Sequence, residues 1–198
     1  MTDIENCQKE KLTIDLGWAN VFSLLLLFPL FIVFVLPYYL FWEEQFTRVN
    51  LKLVFSNLSA STAIGETAIV FGAMLLGLVI HELIHGVVWA CFAKSGFKSK
   101  KFGVFWKTIT PYCHCKEPLK VYEYILGAVM PAIVIGIIPA LIAIAIGNFQ
   151  LLLFGAFFTM AAAGDFLIIH LLRNEKKEDM ILDHPSEAGC YVYRKIKI

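Results

Sequence analysis

Four apolar runs of membrane-crossing length, Trp18–Trp42, Ala68–Ala93, Tyr124–Gly147 and Leu151–Leu172, constrain this chain more than any other feature. About 20 apolar residues in a helix cross a bilayer. Composition agrees: 59% of residues are apolar, 17% are charged and mean hydropathy is +0.71, whereas soluble domains hold about 45–50% and about 25%. A chain of 198 residues cannot hide that much apolar surface in its own core, so lipid is expected to cover the rest. The expected fold is an all-α polytopic membrane protein, a single membrane domain over 1–198, with four transmembrane helices and a small cytoplasmic β-hairpin or sheet. The first run is too long for a signal-peptide core and is read as a retained span.

Charge sets the expected orientation. Two Lys or Arg precede the first run, seven lie in the 94–123 loop and six follow the fourth run; the opposite side has only Arg48 and Lys52. The positive-inside rule then puts both termini, the loop and the 173–198 tail in the cytoplasm. These basic stretches are read as topology anchors, not as a nucleic-acid surface. Pro29, Pro37, Pro131 and Pro139 predict kinks in the first and third spans. Two strands are expected at Lys100–Trp106 and Thr108–Cys115, and Cys190–Ile198 is a strand-like candidate to pair with them. Arg173–Asp179 reads as a charged extension of the last helix. Five cysteines in no small-scaffold spacing argue against a secreted disulfide framework.

Chemistry concentrates in the second run, which contains His81-Glu82-Leu83-Ile84-His85. On a helix, residues four apart share a face, so both imidazoles reach one metal ion. Glu82 then stands beside the metal, placed to take a proton from water and pass it to a leaving amine. Ionisable side chains inside a span are costly and face a partner or a cavity. Asp165, in the fourth run, is the candidate third ligand. The second and fourth spans run in the same direction, and His85 and Asp165 lie at about 13.5 and 12 Å below their basic flanks, at 1.5 Å per residue. The small residues Ala161-Ala162-Ala163-Gly164 let the two helices approach. Histidine and carboxylate ligands suit Zn2+.

Other donors are weaker candidates. His170 lies near the end of the fourth span and on another face. Cys113, His114 and Cys115 sit in the loop, where the two thiols share a strand face but are too few for an independent structural site. His184 and Glu117 read as loop residues.

This arrangement resembles the intramembrane site-2 proteases in plan: H-E-x-x-H on one membrane helix, a β-structured loop after it, and an Asp two helices later. It is more similar to a bacterial domain-of-unknown-function family described as "putative zincin-type membrane peptidases". The likeness rests on H-E-L-I-H-G at 81–86, C-H-C-K-E-P-L at 113–119, A-A-G-D at 162–165 and D-H-P-S-E-A-G at 183–189. It implies His81, His85 and Asp165 as zinc ligands and Glu82 as general base, in a multi-pass protein of the bacterial plasma membrane. The residues around Asp165, A-G-D-F, depart from the site-2 pattern, so substrate-binding details do not transfer.

The function expected is an intramembrane zinc metallopeptidase, hydrolysing membrane-embedded protein or peptide substrates by zinc-activated water with Glu82 as base. The 108–116 segment is expected to hold the extended substrate by strand addition. The alternatives are a zinc-binding scaffold or pseudopeptidase, against which the intact Glu82 argues, and a transporter, against which the lack of inverted repeats argues.

Overall fold

The computed structural model describes residues 7–47, 60–106, 110–185 and 187–195; Arg48 and Lys52 of the charge argument lie outside them. Four helices are long and apolar enough to cross a membrane: Gly17–Phe41, Ile64–Ala90, Val121–Ile146 and Phe149–Leu172. They are called the first to fourth spans here. A third of the residues in the most apolar stretch of the third and fourth spans are buried, against 6% and 11% for the first and second. The third and fourth therefore form the centre. The outer pair keep apolar side chains such as Phe28, Leu40, Ile69 and Phe71 exposed, as a multi-pass membrane protein requires.

Glycines let the central helices touch. A Cβ at Gly155 would lie 2.5 Å from the Ala140 backbone nitrogen, and one at Gly136 2.6 Å from Thr159 Oγ1. Gly77 brings the second span against the fourth in the same way, because a Cβ there would lie 2.2 Å from the Phe158 ring. Close backbone approach replaces the hydrophobic drive that lipid removes.

In the two spans where kinks are expected, wide helical turns stand at Phe31–Val35 and Ala132–Ile137. Leu36 N–H reaches back to Phe31 C=O, and Ile138 N–H to Ile133 C=O, five residues instead of four. Pro37 and Pro139 come next and have no N–H to give, so the ladder widens just before each. The turn between the last two spans is closed by Gly147, whose φ of +72° suits glycine. Trp42 packs on that glycine and donates to Ile144 C=O at 2.8 Å.

Strands are more numerous than expected. A four-stranded antiparallel sheet has the order β1 (Cys7–Thr13), β6 (Gly189–Lys195), β5 (Met180–Asp183), β4 (Leu119–Lys120), while β2 (Lys100–Phe105) and β3 (Thr110–Cys115) form a separate hairpin. All six come from segments that precede the first and third spans or follow the second and fourth. The tail strand pairs with β1 and β5, not with the hairpin. Its register, Cys7↔Lys195 to Thr13↔Gly189, is pinned at one end by Gly189, where a Cβ would lie 2.2 Å from Leu12 C=O. The fourth span stops at Leu172 and does not extend through Asp179. A tight turn replaces the extension, because Lys176 N–H donates to the Asp179 carboxylate and Glu175 forms a two-pronged ion pair with Arg194 of β6.

The sheet and the span ends share one core: Trp89, Cys113, Cys115, Leu119, Tyr124, Leu172, Ile181, Cys190 and Val192. Burying residues of β3, β4, β5 and β6 with the ends of three spans fixes the strands over the polar region of the second span.

Candidate metal centre

His81 and His85 stand one turn apart on the second span, both buried (7% and 4% exposed). The fourth helix breaks at Ala162 (φ −74°, ψ 10°) and restarts as Ala163–Leu172, with Asp165 in its new first turn. That break aims the carboxylate at the histidine pair. His81 Nε2 lies 3.2 Å from Asp165 Oδ2, and His85 Nε2 3.4 Å from Asp165 Oδ1. Among the described residues this is the one set of three His, Cys, Asp or Glu donors whose ligand atoms all fall within 4.8 Å of each other. The structure thus brings together the three residues that sequence reasoning paired across 80 positions.

The donor set suits a divalent cation. Four ligands held tetrahedrally at about 2.0–2.2 Å are separated by about 3.3–3.6 Å; the two histidine–carboxylate spacings, each to its own Asp165 oxygen, lie near that range. The cavity in front of the site, about 1100 Å³, is lined by Asp15, Glu82, Asp165, Asp183 and Glu187 and by no Lys or Arg among the described residues. His81 Nδ1 is buried without a hydrogen-bond partner among them, while Nε2 faces Asp165.

His85 is set from behind. Its Nδ1–H donates to Gly127 C=O at 2.8 Å, which leaves Nε2 as the atom turned to Asp165, the second contact usual for metal-binding histidines. Its ring stacks on Trp89 (5.0 Å between centroids, 16° between planes), and Trp89 stacks on Tyr124 (5.0 Å, 19°). Trp89 was legible in principle, being four residues beyond His85 on the same helix face. Gly127 was not. A Cβ there would lie 1.9 Å from Trp89 Nε1, so Gly127→Ala must displace the indole and the carbonyl that orients His85. Zinc affinity, read by chelator competition, is expected to fall about 10–100-fold, the usual cost of losing a supporting contact.

Glu82 lines the same cavity as Cys113, with the Cys113 backbone N–H beside its carboxylate. The hairpin reaches it because residue 86 is glycine: a Cβ there would lie 2.6 Å from the Phe102 ring and 3.3 Å from Cys113 Sγ. Cys113 and Cys115 share the inward strand face, as alternation predicts, but neither joins His114 in a donor cluster. Burial, then the neighbouring Glu82 charge, pushes the Cys113 thiol up to about 12, so it remains a protonated thiol at neutral pH. Burial, then Lys101, lowers His114 to about 4. His170 is exposed, next to Arg173 and apart from the site. Glu117 is a loop residue accepting from Ser95 N–H. His184 is a buried turn residue whose Nδ1 accepts from Glu187 N–H at 3.0 Å. Asp183, which sequence reasoning passed over, accepts from Tyr124 O–H at 2.5 Å and Cys115 N–H at 2.6 Å; burial raises it to about 6 despite both hydrogen bonds.

Fold and site together define a bundle of four helices apolar enough to cross a membrane, with a candidate three-donor metal site. Residues 74–180 match the family described as "Putative zincin peptidase", and the chain belongs to that family. No curated protein and no solved structure matches the chain.

Proposed function

We propose that this chain is an intramembrane zinc metallopeptidase of the site-2-protease plan, acting on membrane-embedded peptide segments. The convergence of His81, His85 and Asp165 beside Glu82, within helices apolar enough to lie in a bilayer, carries this reading. His81, His85 and Asp165 are the residues that would hold the metal, at the wall of the cavity. Zinc held there supplies Lewis acidity for a peptide carbonyl and lowers the pKa of water. Glu82 accepts the proton of the attacking water and delivers it to the departing amide nitrogen. Trp106, Val104, Pro111 and Ile168 give that cavity an apolar share, suited to an unwound stretch of a membrane helix.

One expectation changes. On the outer edge of β3, Cys115 N–H is given to Asp183 and Cys113 N–H lies beside Glu82. A substrate strand adding there would find those donors taken. The hairpin's role is to orient the base, with substrate held by the cavity walls.

The test is cleavage of single-span peptides by the purified protein in lipid discs. Cleavage within the apolar segment should stop on removing metal with a chelator and return with stoichiometric zinc. Cleavage indifferent to chelation, or confined to soluble peptides, would contradict the proposal.

A further inference from the structure

Two sequence motifs unused by the hydrolytic chemistry, C-H-C at 113–115 and the start of D-H-P-S-E-A-G at Asp183, meet in one hydrogen-bonded junction on the wall of the same cavity. Asp183 sits at the end of β5, and its two carboxylate oxygens have different partners. Oδ2 accepts from the Cys115 backbone N–H at 2.6 Å. Two residues back along the same strand, Cys113 lines the cavity together with Glu82 and its N–H lies beside that carboxylate. Oδ1 accepts from Tyr124 O–H at 2.5 Å. The Tyr124 ring is the far end of the stack that runs through Trp89 to His85, and Tyr124 C=O accepts from Trp89 Nε1–H at 3.0 Å. One carboxylate therefore fastens both the strand that orients the base and the column that backs a metal ligand.

From this we infer that Asp183 is a positioning residue for the hydrolytic centre, fixing Glu82 through β3 and His85 through Tyr124 and Trp89; the inference rests on the metallopeptidase reading above. Asp183 touches neither the metal donors nor Glu82 in the hydrogen bonds described, so its influence passes through these two routes. Hydrogen bonding, and not charge, is what the geometry asks of it. Asparagine can serve both partners, its carbonyl accepting from Cys115 N–H and its amide N–H donating to the Tyr124 oxygen. Alanine serves neither. Phenylalanine at 124 keeps the ring stack and removes only the hydroxyl, so it cuts the His85 route alone and preserves the buried ring.

The experiment uses the full-length protein with cobalt(II) in the metal site, read by its visible absorption, alongside steady-state cleavage of a membrane peptide by the zinc form. Asp183→Ala should shift the cobalt bands and lower kcat about 10–100-fold with KM little changed, the size of effect that outer contacts to metal sites show. Asp183→Asn should regain most of that loss. Tyr124→Phe should shift the cobalt bands with a smaller fall in kcat, and serves as the test if the alanine variant does not fold. Wild-type cobalt bands and kcat in Asp183→Ala, or in Tyr124→Phe where alanine fails to fold, would overturn the inference while leaving the metallopeptidase reading intact. An asparagine variant as impaired as alanine would also overturn it. A wild type that takes up no cobalt and cleaves nothing would remove the underlying reading and this inference with it.

Discussion

Glu82→Gln is expected to leave the protein folded and able to bind zinc while reducing peptide cleavage by about 10²–10⁴-fold, the range that a positioned general base contributes. Glutamine keeps the size and an acceptor oxygen beside the Cys113 N–H, so the hairpin contact survives. It cannot take a proton. Glu82 is outside the converging donor set, which is His81, His85 and Asp165, so zinc content should be unchanged. Metal content and turnover must therefore separate in this variant. Cleavage at the wild-type rate would remove Glu82 from the chemistry, and loss of zinc along with activity would make it a ligand instead.

Asp165→Ala is expected to have the largest effect on metal binding. The carboxylate offers one oxygen to each histidine, at 3.2 and 3.4 Å, and no other Asp, Glu, His or Cys among the described residues completes a set of three donors. Its removal leaves two imidazoles facing an open cavity. Zinc affinity should fall by more than the about 10–100-fold typical for loss of a supporting contact, with activity lost in parallel. The bundle should remain folded, because the nearby close contacts run through Gly77 and Phe158 and through Gly136 and Thr159, not through Asp165. Competition with a chromophoric chelator measures the first expectation and thermal unfolding the second. Undiminished affinity in Asp165→Ala would remove the aspartate from the centre.

Much of this architecture could be read before any coordinates. Lipid sorts residues coarsely, so apolar runs reveal spans without tertiary context, and the four helices lie near the expected ranges. His81 and His85 are local, four residues apart, and helix geometry alone puts them on one face. Asp165 was reachable because parallel spans convert distance from the basic flank into depth. The strands were harder. β1, Cys-Gln-Lys-Glu-Lys-Leu-Thr, is mostly exposed and has no alternating apolar face; β6, Lys9 against the Tyr191 ring and the Lys11–Glu187 ion pair hold it in place. Those partners are more than 170 residues away. The break at Ala162 has no proline to announce it, and four small residues in a row fit a continuous helix equally well. Gly127 and Asp183 act through a backbone carbonyl and a backbone N–H, contacts that leave no pattern in side-chain sequence.

X-ray absorption at the zinc edge of the purified wild-type protein measures the central claim most directly. Two imidazole nitrogens with oxygen ligands at about 2.0–2.2 Å and no sulfur are the expected shell. Sulfur at about 2.3 Å, placing zinc on Cys113 or Cys115, or a shell with fewer than two imidazoles, would contradict it.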